Sequence, residues 1–365
     1  MSLWRHIGRD IALGLLVPLA LAEGSRLSCS PAPRQGSAPA LSLLGAGPLI
    51  VPYSARVDGF RVGGLSALAR AADGTWLALV DNDEATPARV FRLAFEVSGN
   101  GVAPPAGKTP LQMSLAAIPL EGFTGKTLDG EGMALEPAGE MLIASEIGPS
   151  IREFSPAGKL LRALPVPKLF LSTDKRGVRG NLGFESLTLS PGGEALWTAN
   201  ERALRQDAPE DVTRASPVRL LCYGRHGGGF VPGGQFVYGV EPIAKPGGGF
   251  QVRGLSDLLA LPDGDLLALE REFVEGRGMS IQIFRVSLAG ATDVSGMESL
   301  AGRSYKPVRK TLVYDFARSG FVPDNLEGMA FGPRLPDGSP TLVLVSDNNF
   351  HLFEQTEIFA LRLKM

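Results

Sequence analysis

Short apolar runs recur along the chain in pairs, each pair split by a glycine-centred turn. The turns read Ala72-Asp73-Gly74, Ala138-Gly139, Pro191-Gly192-Gly193, Pro262-Asp263-Gly264 and Pro336-Asp337-Gly338. Asp-Gly and Gly-Gly accept the positive φ that a tight hairpin requires, so each pair predicts two antiparallel strands. The second strands are predicted over Trp76–Val80, Met141–Ala144, Ala195–Thr198, Leu266–Leu269 and Thr341–Val345. They are apolar at consecutive positions rather than alternate ones, the pattern of a sheet covered on both faces. Further strand-like runs follow: Val90–Val97, Leu160–Val166, Val218–Tyr223 with Gln235–Val240, and Ile281–Leu288 with Lys310–Phe316. Each unit thus holds about four strands, the content of a propeller blade.

This predicts an all-β chain whose residues 47–365 form a single β-propeller domain with five detectable blades. A sixth is conceivable within Asn200–Arg253 or Gly290–Asp324. The last unit has only Glu357–Leu363 as its third strand. Leu49–Val57 is expected to supply the fourth, so that strands from the two chain ends close the ring and remove free sheet edges.

Composition narrows the partners. A formal net charge of −2 and 7% aromatic residues argue against nucleic acid. Arg5, His6 and Arg9 precede the apolar stretch Ile11–Ala22, and Ala20-Leu21-Ala22 has the small-x-small form of a cleavage signal. Residues 1–22 therefore read as a signal peptide. Residues 23–46, rich in Ser, Pro, Ala and Gly, read as a flexible tether. Export to the periplasm or the medium is expected, as a monomer, with membrane contact only through lipid attachment at Cys29. Cys222, in an apolar run, reads as a buried small hydrophobe.

An acidic phrase precedes the turns. It is Leu128–Leu135, Asn181–Leu189 and Asn325–Phe331, with weaker copies at Gly63–Ala69 and Arg253–Ala260. Counting back from the turn glycine gives a first-strand column of Ser66, Glu131, Glu185, Ser256 and, allowing for a loop insertion, Glu327, with Asp257 one place on. Counting forward gives a second-strand column of Asp81, Glu146, Asn200, Arg271 and Asp347, with Asn82, Glu201, Glu270 and Asn348 beside it. The start of one hairpin strand and the end of the other lie at the same end, so both columns are expected around the propeller axis. Two like charges 4 Å apart repel by about 4 kcal/mol at an effective dielectric near 20. Such a ring requires protonation, basic partners or a cation. His226 and His351 are too few for a histidine-rich zinc or iron site, whereas carboxylates and amides suit Ca²⁺, with Mg²⁺ second.

Asp129-Gly-Glu-Gly-Met133, Ala144-Ser-Glu146, Asn181-Leu-Gly-Phe-Glu-Ser-Leu187, Thr198-Ala-Asn-Glu-Arg-Ala-Leu204 and Asn325-Leu-Glu-Gly-Met329 together resemble the phytase-like family, also described as having esterase-like activity of phytase. The resemblance implies an exported bacterial propeller with many acidic positions, acting on phosphoric esters. Glu131, Glu146, Glu185, Glu201 and Glu327 fill the matching positions, whereas Ser66 and Ser256 depart from it. The function expected is that of a metal-dependent phosphoric ester hydrolase taking a small anionic, phosphorylated substrate. Metal ligands are expected among Glu131, Glu185, Glu327, Asp347, Asp81 and Asp257. Glu146 or Glu201 would be general base, with Arg271 as a catalytic cation. Arg179, Lys175 and Asn200 would bind substrate. A lactonase-like or sugar-ester hydrolase propeller and a non-catalytic binding propeller are the alternatives.

Overall fold

The computed structural model describes residues 40–81 and 86–364. Five antiparallel sheets follow one another around an axis. From the axis outward, the first blade is Leu65–Arg70, Trp76–Val80, Pro87–Leu93 and Ser114–Thr124. The second is Gly130–Leu135, Met141–Ser145, Ser150–Phe154 and Leu160–Ala163. The third is Phe184–Leu189, Ala195–Asn200, Ser216–His226 and Gly229–Val240. The fourth is Gln251–Ala260, Leu266–Val274, Gly278–Ser287 and Arg309–Asp315. The fifth is Asn325–Phe331, Thr341–Asp347 and Thr356–Lys364, completed by strands from the other end of the chain. The innermost strand of each blade packs against those on either side, closing the ring. Among the described residues no helix is long and apolar enough to cross a membrane.

The covered-sheet pattern has a simple origin. In the second blade, Met141 and Ile143 pack towards the first blade, while Leu142 and Ala144 pack towards the third. Side chains alternate across a strand, so both faces must be apolar when both meet a neighbouring blade. Five hydrophobic clusters fill the five gaps between blades. The turn glycines 74, 139, 193, 264 and 338 all adopt positive φ, between 75° and 94°.

Closure differs in detail from expectation. Leu49–Val51 does pair with Thr356–Ile358, but Ala40–Leu43 also pairs, with Leu361–Lys364. The end of the supposed tether is therefore part of the fifth blade, since its Leu41 is buried among the apolar residues between the fourth and fifth blades. Val57 belongs instead to a small hairpin, Arg56–Val57 with Phe60–Arg61. The signal peptide, Cys29 and Asn82 lie outside the described residues. Cys222 is buried in the cluster between the third and fourth blades.

The long stretches that left room for a sixth blade add no sheet. Asn200–Arg253 holds the two long outer strands of the third blade. The segment 290–308 lies against the outermost of these, where Val294 and Val308 donate backbone hydrogen bonds to Gln235 and Val237. That covers an edge otherwise open to pairing.

Candidate active site

Every innermost strand carries a break in register at the same place: between Leu65 and Ala67, Gly130 and Gly132, Phe184 and Ser186, Leu255 and Asp257, and Leu326 and Gly328. The residues left unpaired are Ser66, Glu131, Glu185, Ser256 and Glu327, the whole first-strand column. A β-bulge re-aims the side chain of its extra residue. One backbone device, repeated five times, therefore sets this column apart from the apolar positions that fill the gaps between blades. In the first and fourth blades the column is spent on structure: Ser66 donates to Gly130 O at 2.6 Å and Ser256 to Leu269 O at 3.3 Å.

The second-strand column follows from the same register. Asp81, Glu146 and Glu201 donate backbone hydrogen bonds to Gly64, Asp129 and Gly183, while Arg271 and Asp347 pair with Gly254 and Asn325. The third-blade member is thus Glu201, not Asn200. The other three short turns pair residues six apart, as Leu135 with Met141, but the third blade pairs Leu189 with Leu196. One extra residue after Gly193 displaces the count by one. Asn200 sits one step back, fully buried, and its Nδ2 donates to Arg202 O.

The glycines beneath this column make room for it. A Cβ on Gly254 would lie 2.2 Å from Glu201 Oε1, and one on Gly183 would lie 2.8 Å from Glu146 Cα.

Together the columns gather Asp81, Glu131, Glu146, Glu185, Glu201, Glu327 and Asp347, Asp129 joins them from two residues before Glu131, and the ring is electrostatically uneven. On one side Arg271 spans two blades, with Nη1 2.9 Å from Glu327 Oε1 and Nη2 3.4 Å from Glu201 Oε1. Asn325 supports Glu327 through a 2.8 Å bond. Burial works against the Arg271 charge, but Glu327 and Glu201 outweigh it and raise its pKa. On the other side, ligand atoms of Asp81, Asp129 and Glu131 lie within 4.8 Å of one another. Burial, then Asp347 and Glu327, push Asp81 up to about 10. Burial, then Asp81, hold Glu131 well above the usual carboxylate range.

Between these halves, Glu146 accepts the Gly183 N–H at 2.6 Å. Burial raises Glu146 to about 7 against the opposing effect of a hydrogen bond with Glu185. Burial, then the neighbouring Glu146 and Glu201, hold Glu185 well above the usual carboxylate range. Glu146 Oε2 and Asp347 Oδ2 are buried without a hydrogen-bond partner. Asn349 and Phe350, just after Asp347, both hold positive φ, a strained conformation for residues with side chains.

Residues 61–350 match the family described as phytase-like, with esterase-like activity of phytase. The chain belongs to the phytase-like family. One curated relative, an uncharacterized secreted protein of Arthroderma benhamiae, is 26% identical over 202 residues, covering 45% of this chain and 40% of the relative. The chain therefore spans well under half the length of that relative. Among solved structures, the PQQ-bound aldose sugar dehydrogenase of Streptomyces coelicolor has a TM-score of 0.43 at 12% identity, over 90% of this chain and 99% of that one. A gluconolactonase of Xanthomonas campestris has a TM-score of 0.36 at 10% identity, over 91% and 99%.

Several residues expected in the site of this phytase-like propeller lie elsewhere. Asp257 accepts backbone N–H groups from Met329 and Leu258, at 2.6 and 2.7 Å, and so ties the fourth blade to the fifth. Being next to a bulge, it points along the other side of the strand. Arg179 donates to the carbonyls of Ala203 and Ala208 and lies 3.8 Å from Glu210, which commits it to holding a loop. Lys175 is exposed on the loop before the third blade and makes no ion pair with the ring acids among the described residues. Glu270 is enclosed by Arg253, Tyr238 and Lys310. Asp129, absent from the expected site residues, belongs to the cluster. Its blade-to-blade equivalents are Gly64, Gly183, Gly254 and Asn325, so its position reads as a turn. The signal for it in the sequence is its place in the acidic phrase, two residues before Glu131.

Proposed function

We propose that this phytase-like protein is an exported hydrolase of phosphoric esters, working at the axial face with a divalent cation held by carboxylates. The reading rests above all on the Asp81–Asp129–Glu131 cluster, whose oxygens converge within 4.8 Å in a buried setting. The donor set fits a hard cation: carboxylate oxygens throughout, with the partnerless Asp347 Oδ2 nearby as the strongest acidic neighbour of Asp81. Calcium is the first choice and magnesium the second. When bound, such an ion supplies Lewis acidity towards a phosphoryl oxygen.

The chain's own groups take the remaining roles. Glu146, near neutrality and with one free buried oxygen, is suited to accept a proton from water. The Gly183 N–H fixes the Glu146 carboxylate, and the raised Glu185 lies beside it. Glu201 is less suited to that role, because it is paired with Arg271. Arg271 brings the guanidinium that faces developing charge on phosphate, held in place by Glu201 and Glu327. Export follows the N-terminal pattern, and the secreted relative supports it. The substrate is a small anionic ester and the protein acts as a monomer.

Phosphate release from mono- and diesters should be measured with calcium and with chelator, beside a lactone panel. The expected result is turnover that chelator abolishes and calcium restores. Chelator-insensitive turnover, or turnover of lactones alone, would exclude this chemistry.

A further inference from the structure

Three of the most exposed large apolar side chains lie on two loops that hydrogen bonds join, one of them leaving the ring. Phe353 is 98% exposed, Val322 74% and Leu352 72%. The loop bearing Leu352 and Phe353 leaves the ring directly after Asp347. Its Phe350 ring lies so near the first blade that a Cβ on Gly64 would sit 2.4 Å from it and 3.1 Å from Asp81 Oδ1. The loop bearing Val322 is joined to it: Asp324 accepts from Gln355 N at 2.7 Å and donates its own N–H to Glu357 at 2.8 Å. Scattered apolar residues on a surface are ordinary, but a cluster bordering a polar site marks a place where something apolar is bound. The left-handed Asn349 and Phe350 hold this loop in a conformation the chain would not choose locally.

The two arginines expected to face phosphate bear on what the site takes. Arg271 is shared between two carboxylates, and Arg179 is committed to carbonyls and Glu210. A ring so rich in carboxyls suits a ligand with one phosphoryl group rather than a densely phosphorylated one. We infer that the site selects phosphoric esters whose alcohol part is apolar, with the phosphoryl group at the acidic ring and the tail against Val322, Leu352 and Phe353. This rests on the reading of the ring as an ester-hydrolysing site. In that reaction water cleaves the bond between phosphorus and the alkoxy oxygen. The water oxygen stays with phosphate, and one proton passes to the departing apolar alcohol.

The test uses methyl, butyl and octyl phosphate, all below the concentration at which they aggregate, with calcium present. For the wild type, kcat/KM for phosphate release is expected to rise at least tenfold from methyl to octyl, since each buried methylene multiplies binding about fourfold. A Val322→Ser/Leu352→Ser/Phe353→Ser variant, checked for an unchanged melting temperature, should bring the octyl ester down towards the methyl ester. Equal values for all three wild-type esters, or a rise that survives in the variant, would overturn the inference. If none of the esters turns over, calorimetric binding of octylphosphonate against methylphosphonate decides. Tighter octyl binding lost in the variant upholds the apolar subsite while the hydrolytic reading fails, and equal binding sinks both.

Discussion

Replacing Arg219 with Met should lower stability by roughly 3–5 kcal/mol, the cost of leaving one member of a buried ion pair without its partner. Arg219 and Asp207 are both wholly inaccessible, and their bidentate contact runs at 2.6 and 2.9 Å. The guanidinium also donates to Gln235 Oε1, Val294 O and Met297 O, so it fastens the segment 290–308 to the third blade. Asp207 in turn accepts the Leu300 N–H. Met fills similar volume without restoring any of these bonds, and it strands a carboxylate. Thermal unfolding should show a midpoint lower by roughly 10 °C, scaling from the usual effect per kcal/mol in a large domain. A double Arg219→Met/Asp207→Asn variant should recover part of the loss, because the stranded charge is then gone. A midpoint within about 2 °C of the wild type for the single variant would contradict this account of the loop's attachment.

The second large effect concerns pH in the absence of metal. Burial and neighbouring acids push Glu146 up to about 7 and Asp81 up to about 10 in the folded protein, from ordinary values of 4.5 and 3.8. These are acids with raised folded values, so between the two values the native state binds more protons than the unfolded chain. Stability is then fully present below about pH 4 for these groups and falls as pH rises. The loss from Glu146 is complete near pH 7, and that from Asp81 continues to about pH 10. Each proton of difference is worth about 1.4 kcal/mol per pH unit. Chelated protein should therefore melt several degrees lower at pH 8 than at pH 5.5. Calcium should restore the midpoint at pH 8 far more than at pH 5.5, because the cation replaces protons at the same oxygens. Equal melting of the chelated protein at the two pH values would show that the ring acids are not strained by one another.

Much of this was legible in the residues because the hairpin is a rigid ruler. A turn glycine at fixed φ and a fixed count back to the acid placed Glu131 and Glu185 in one column, and allowing for a longer turn in the fifth blade added Glu327. The bulge that aims them was not legible, since no residue type demands it: serine occupies the same place twice. Where the ruler changed length it misled. One added residue after Gly193 exchanged Asn200 for Glu201, and a bulge beside Asp257 turned that carboxylate towards the neighbouring backbone. Long-range partners had no signal at all. Nothing near Arg179 in sequence announces the carbonyls of Ala203 and Ala208, and Ala40–Leu43 reads as linker until Leu361–Lys364 lies beside it.

Calcium content of the purified protein, measured after equilibration with calcium and compared with a Glu131→Gln variant, bears most directly on the acidic ring as a cation site. The wild type should retain bound calcium in stoichiometric amount and the variant should lose most of it while remaining folded. A wild type that holds no calcium above background, or a variant that holds as much, would contradict it.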